Sequence, residues 1–241
     1  MVLAHGAFCP FVAHKCKARS KDGAACAEFS PEVLCEGTIR DARFCIDAFE
    51  YPNVRGVLPA VLVTFGDARH ACETEGKRLC SVDEWQFACE GTSILPLPEG
   101  VRRDGGCNVD APDPPVLFGA LHSPFELAKE LMRVDGRAPS GAREKCKSPF
   151  GAYDMAGNVG EWTENPLGGD EVPPFRSSIA GGSFGHAEAS CRTLDASTPD
   201  TGRSHRVGFR CCADAGPRAA GDVPVPSHRS PGGFRAIDRL P

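Results

Sequence analysis

The sequence predicts an α+β domain of short helices and short strands set in long loops and stapled by disulfides. Three observations carry this. Thirteen cysteines are spread along 241 residues rather than gathered into Cys-x-x-Cys pairs. Two helix signals with N-terminal caps follow an apolar run of strand length within residues 58–91. Stretches rich in Pro, Gly and Asp then dominate from Leu95 to Pro115, where ordered loop with few ladder hydrogen bonds is expected.

In chain order, residues 1–45 hold five cysteines and little periodicity, and they read as an irregular, stapled lead-in. Phe44-Cys45-Ile46-Asp47 alternates as a short strand and is followed by a turn at Pro52-Asn53. Leu58 to Val63 is the longest apolar run, and Val61–Val63 is expected to be a buried strand. Thr64 opens a helix that places Phe65, Ala68 and Cys72 on one face and ends at Gly76. Ser81 and Glu84 form a capping box, each able to satisfy the other's backbone donor. The helix it starts turns Trp85, Ala88 and Cys89 inward and stops at Gly91. Phe125 to Val134 reads as one further helix with Leu127, Leu131 and Val134 on a stripe. Ala213 to Pro241 has no apolar period and is expected to be a disordered tail. The expected division is a lead-in at 1–43, one domain at 44–212 and a tail at 213–241.

Composition narrows the function. The formal net charge is -5 and the pI about 5.8, which argues against nucleic acid or an anionic membrane surface, since both select basic faces. No apolar run reaches the length of a membrane span. The cysteines form no close Cys-x-x-Cys pairs, so the pattern does not suit zinc and reads instead as disulfides, which persist in an oxidising compartment. An extracytoplasmic protein is therefore expected. The opening residues MVLAHGAFCPF lack a basic region and a long apolar core, so they do not read as an export signal, and the true start is expected upstream. Because the cysteine count is odd, at least one thiol is free or pairs with another chain.

Three segments, in order, resemble the formylglycine-generating-enzyme (sulfatase-modifying-factor) family: GVLPAVLVTFGDARHACETEGKRLCSVDEWQFACEG at 56–91, SPFGAYDMAGNVGEWTEN at 148–165, and GGSFGHAEASCRTLDASTPDTGRSHRVGFRCC at 181–212. The resemblance implies a fold related to C-type lectins. It also implies a structural calcium held by Asp154, Gly157, Val159 and Glu161. Two carboxylates and turn carbonyls supply the oxygen ligands this cation takes. A second family calcium site begins with Asn-Ile. Asn108 and Val109 match its first half, the second half has no counterpart, and that site is left open. Calcium is thus the expected cofactor.

Active members carry two cysteines, separated by four residues, after Gly-Gly-Ser-aromatic. These bind copper(I), for which soft thiolates are selective, and the enzyme oxidises a substrate cysteine to formylglycine. Counting forward from Gly181-Gly182-Ser183 puts His186 and Cys191 at those positions. Counting back from Thr198-Pro199-Asp200 makes Cys191 the family's structural disulfide cysteine and places a deletion in the catalytic loop. The second register is preferred because it explains Cys89, that cysteine's usual partner. Either way the copper pair is missing. The first reading is therefore a binding or structural module, facing a protein, peptide or glycan, that has lost oxidase activity. The alternative is an oxygen-dependent oxidoreductase with a rebuilt metal site at His186 and Cys191.

The resemblance further implies the bridges Cys72–Cys211 and Cys89–Cys191. Neighbouring strand residues point to opposite faces, so Cys212 needs a partner other than that of Cys211, and Cys80 is the nearest unassigned candidate. A Cys107–Cys146 bridge would staple the intervening loop and helix.

Overall fold

The computed structural model describes residues 1–217 and the backbone pairing of 228–229. Its first four strands are β1 (Val2–Phe8), β2 (Phe11–Arg19), β3 (Cys26–Glu36) and β4 (Thr38–Ile46). These are followed by α1 (Phe65–Thr74), β5 (Arg78–Leu79), α2 (Val82–Glu90), a 3-10 turn at Phe118–His122 and α3 (Pro124–Val134). Next come β6 (Gly160–Glu164), β7 (Ser177–Ala180), β8 (Leu194–Asp195), β9 (Val207–Phe209), β10 (Cys211–Asp214) and β11 (His228–Arg229). One sheet has the order β1-β4-β10-β5, with β11 also pairing β4; a second has the order β8-β7-β6-β9. β2 and β3 stand apart as a hairpin.

The lead-in is the largest departure from expectation, because residues 1–46 are strand rather than irregular. β1 runs antiparallel to β4 from Val2↔Ile46 to Phe8↔Arg40. β2 exposes Phe11, Ala13, Lys15 and Lys17 on one face and only half-buries the other, so no apolar alternation marks it. What marks it instead is covalent: Cys9–Cys35 closes the base of the hairpin and Cys16–Cys26 its far end. Gly37 joins β3 to β4 at φ +110, and a β-carbon there would sit 3.2 Å from the Phe11 ring. Only glycine takes that backbone angle without strain.

Both helix caps form as read. Thr64 and Asp67 satisfy one another at the start of α1, and Ser81 and Glu84 do so at α2. The preceding Val61–Val63 is not a strand. Leu62 has φ +62 and is exposed, while the Leu62 N–H donates to Ser204 O and the Trp162 indole donates to Val63 O. The run is an irregular strip laid across the second sheet, which uses its apolar residues without a ladder. α3 half-buries Leu127 and Leu131 and buries Val134. Of the expected tail, Ala213 and Asp214 complete β10, and His228 and Arg229 pair with Ile39 and Thr38 of β4. Residues 218–227 and 230–241 lie outside the described residues.

One core gathers Trp85, Phe87, Cys89, Met155, Phe44 and Ile46 between α2 and the first sheet; a second gathers Cys72, Leu79, Trp162, Phe209 and Cys211 between α1 and the second. The bridges thread both. Cys72–Cys211, Cys80–Cys212, Cys89–Cys191 and Cys107–Cys146, the pairs expected from the sequence, are bonded, with Cα separations of 5.5, 4.9, 5.4 and 4.7 Å. Cys45 is the free cysteine. Closing a loop as long as that of Cys72–Cys211, 139 residues, removes much denatured-chain entropy. Replacing both cysteines by alanine should lower the unfolding free energy by about 4 to 5 kcal/mol, measured as a leftward shift of the urea transition.

Candidate functional site

The segment that carries the expected calcium ligands folds around three buried acids and one buried guanidinium. Asp154 and Asn158 both take left-handed φ, +58 and +55, with Gly157 at +78 between them. Such angles in non-glycine residues concentrate where the surroundings over-determine the backbone. Gly157 is required for space as well, since a β-carbon would meet Asn108 O at 2.4 Å and Val109 Cγ1 at 2.6 Å. The structure thereby brings Asn108 and Val109 against the 154–161 turn, and Asn158 N donates to Asn108 O.

Glu161, on β6, is fully buried and forks with Arg210, its two oxygens 2.6 Å from Nε and Nη2. The Trp85 indole donates to Glu161 Oε2 at 2.7 Å. Arg210 also donates to the backbone oxygens of Asp47 and Tyr153. Burial opposes its charge, but Glu161, Glu50 and Asp154 hold it protonated. Glu50 lies in the same pocket, accepting from Asn158 Nδ2 and Ser140 Oγ. Burial, and then the charges of Asp154 and Glu161, push its carboxyl well above the usual range. Asp154 is pushed up to about 6, chiefly by burial, while the Gly141 N–H and Arg210 act in the opposite direction.

Burial holds Glu50 and Asp154 toward the neutral form, because all three acids ionised against one guanidinium would leave two negative charges in excess; Asp154 accepts only at Oδ2, from Gly141 N. Its Oδ1 has no hydrogen-bond partner among the described residues. That is the chemistry a divalent oxygen-seeking cation fits, with Asp154 the open ligand and Glu161 already shared with Arg210 and Trp85. Sequence reading missed Glu50, Asn158, Ser140 and Arg210. The asparagine of Gly-Asn-Val and the arginine of Gly-Phe-Arg-Cys were in view as motif landmarks; Glu50 lies outside all three motifs.

The second feature is a cleft of about 390 Å³ on the second sheet. Trp162, Ile179 and Val207 form its floor, and Ser183, His186, Thr198, Arg203 and Arg206 its rim. Arg203 and Arg206 are engaged by Asp67 and Asp113. His186 is exposed at the mouth, but Cys191 is buried and bonded to Cys89. A bonded sulfur offers no thiolate, so the rebuilt metal site at His186 and Cys191 does not exist in this fold. Glu99 lies close to the sulfurs of Cys107 and Cys146, which are likewise spent in a bridge.

The profile of the family described as "Sulfatase-modifying factor enzyme 1-like domain" matches residues 38–215. Among curated proteins the chain is 32% identical over 164 residues to "Inactive C-alpha-formylglycine-generating enzyme 2" of Bos taurus, covering 66% of this chain and 51% of that one. It is 30% identical over 185 residues to "Formylglycine-generating enzyme" of Thermomonospora curvata, covering 65% and 55%. The chain therefore spans about half the length of the curated relatives it matches. Among solved structures, CarF superposes with TM-score 0.52 at 15% identity, covering 89% of this chain and 98% of that one. PvdO from Pseudomonas aeruginosa superposes with TM-score 0.50 at 15% identity, covering 88% and 93%. These two share the fold.

Arg210 is the fully buried cation of the acidic cluster, and its removal breaks the ion pair with Glu161. Arg210→Leu should destabilise the domain by about 3 to 5 kcal/mol, as expected when one partner of a buried pair is lost. Chemical denaturation checks this, and a change below about 1 kcal/mol would show that the pair is not a keystone.

Proposed function

The chain belongs to the sulfatase-modifying-factor, formylglycine-generating-enzyme-like family, and we propose that it has lost the copper-dependent oxidase activity and serves outside the cytoplasm as a binding or structural module. One observation carries the reading: between Ser183 and Thr198 the chain holds a single cysteine, Cys191, whose sulfur is bonded to Cys89. Six bridges use twelve of the thirteen cysteines, and the remaining one, Cys45, sits on β4 in the other sheet. No two thiolates can meet at the cleft, and copper(I) selects for such a pair. A relative named as an inactive formylglycine-generating enzyme is in keeping with this. Six disulfides support an oxidising compartment. The cleft, with its apolar floor and hydroxyl-bearing rim, supports binding of a protein, peptide or glycan.

Incubated with copper, oxygen and a peptide containing Cys-x-Pro-x-Arg, the protein should leave the peptide thiol unchanged by mass spectrometry. Copper-dependent conversion of that cysteine to formylglycine would overturn the reading.

Calcium belongs to the same proposal as a structural ion. Asp154 and Glu161 would give carboxylate oxygens and Gly157 and Val159 carbonyls, neutralising the excess charge beside Glu50. Asn108 and Val109, packed against Gly157, line the same turn. Ligand binding to the folded state stabilises by mass action, about 2.7 kcal/mol at a hundredfold excess over Kd. The melting temperature in millimolar calcium should therefore exceed that after metal removal in EDTA by several degrees. Superimposable melting curves would refute the ion, and Asp154→Asn should abolish most of the difference.

A further inference from the structure

We propose that the base of the β2–β3 hairpin is a docking edge for an extended strand of another polypeptide, one with apolar residues at alternate positions followed by acidic ones. This rests on the reading of the chain as a binding module and names the partner's chemistry. The hairpin lies ahead of the residues that match the family model.

Among the described residues β2 has one neighbour, β3. Its other edge therefore presents backbone N–H and C=O groups with no ladder partner, a template for strand addition. Proteins blunt such edges with bulges and lysines, and β2 does so along only part of its length. From Cys16 onward the register shifts repeatedly, between His14 and Cys16, between Cys16 and Ala18 and between Ala18 and Arg19. Lys15, Lys17 and Arg19 line the same stretch. From Phe11 to His14 the pairing with Glu36 to Val33 is regular, and β2 itself carries no lysine or arginine there, although Glu36 and the Arg40–Asp83 pair stand nearby.

That unprotected part opens onto a groove of about 820 Å³. Consecutive residues Pro10 to Ala13 form one wall, Val82 and Gln86 of α2 the opposite side, and Pro166, Leu167 and Leu194 the rim. Phe11 is 59% exposed, Leu167 82% and Leu194 40%. Apolar side chains so exposed around one groove mark an interaction site. Arg192 holds the wall in place: it donates to the backbone oxygens of Cys9 and Pro10 and is itself gripped by buried Glu90 and by Gln86. The edge is thus fixed before a partner arrives, which lowers the ordering cost of binding.

Charge sets the second half of the partner. Beyond the groove stand Lys15, Lys17, Arg19, Lys21 and Arg102, against Asp22, Glu28 and Glu32. Glu28 alone serves both Lys17 and Arg102, so this end of the hairpin stays basic. A strand laid along β2 has its apolar side chains in the groove and its continuation among these cations.

The test uses the full chain and two fluorescent peptides of about ten residues, valine-alternating in one half and glutamate-rich in the other, one for each strand direction. One of them should bind, seen by anisotropy, and hydrogen exchange should slow at residues 11–14 in its presence. Leu167→Asp, at an exposed position that leaves the melting temperature unchanged, should weaken binding by about tenfold. Lys15→Glu with Lys17→Glu should weaken it by a similar factor and flatten its salt dependence. Absence of binding by both peptides, or binding without protection of residues 11–14, overturns the docking edge. Concentration-dependent dimerisation protecting the same amides, or binding only after residues 230–241 are removed, assigns the groove to a second copy or to this chain's own terminus and also overturns it. In these outcomes the binding-module reading stands, because it fails separately, by turnover of the cysteine peptide.

Discussion

Arg210 occupies the single residue between β9 and β10, where the chain passes from one sheet to the other. Its side chain is fully buried, and its fork with Glu161 on β6 is capped by the indole of Trp85 on α2. Two sheets and a helix are therefore fastened through one pair of opposite charges. Removing a guanidinium from water costs several kcal/mol, and the cost is offset only when geometry and further hydrogen bonds are both good. Here they are: two further donors go to the carbonyls of Asp47 and Tyr153. Lectin-like architecture with so little ladder needs such a junction, because short strands alone do not fix the angle between sheets.

The same pair explains why the acids around it are tolerated. Glu50 and Asp154 are both buried and both shifted toward the neutral form, as burial beside like charges requires. Asn158 acts as the spacer. Its amide nitrogen serves Glu50 while its oxygen accepts from Asn108 and from the Ala138 backbone, so one side chain links three loop segments otherwise separated by long stretches of sequence. Loops poor in ladder bonds are held here by side-chain amides and carboxylates, and this is where the domain's order resides.

Much of this was legible in the sequence. Thr64 and the Ser81/Glu84 capping box announced α1 and α2 because caps are local chemistry, written in residues a few positions apart. Of the cysteine bridges, Cys72–Cys211 and Cys89–Cys191 were legible through the family resemblance, and Cys80–Cys212 because adjacent Cys211 and Cys212 must face apart. Tertiary chemistry was less so. Glu50 is three residues from Asp47, in a stretch with no pattern, and only the folded chain puts it beside Asp154. The lead-in was misjudged because its β2 strand is exposed on one face and only half-buried on the other, with no hydrophobic period to display. Leu58–Val63 was misjudged for the opposite reason: its apolar residues promised a strand, whereas Leu62 turns the backbone out of one.

The order of the bridges along the chain has a consequence for how the protein is made. Cys9–Cys35 and Cys16–Cys26 span 26 and 10 residues and can close as soon as the hairpin emerges from the ribosome or translocon. Cys72, Cys80 and Cys89 must wait for Cys211, Cys212 and Cys191, more than a hundred residues later. During that interval three thiols of the nascent domain lie within reach of one another and of Cys45. At synthesis rates of about 5 to 20 residues per second the wait lasts on the order of ten seconds, comparable to the time in which thiols begin to oxidise. Early closure of the hairpin removes four of the competing cysteines from that pool, so the N-terminal strands also simplify the pairing problem for everything that follows.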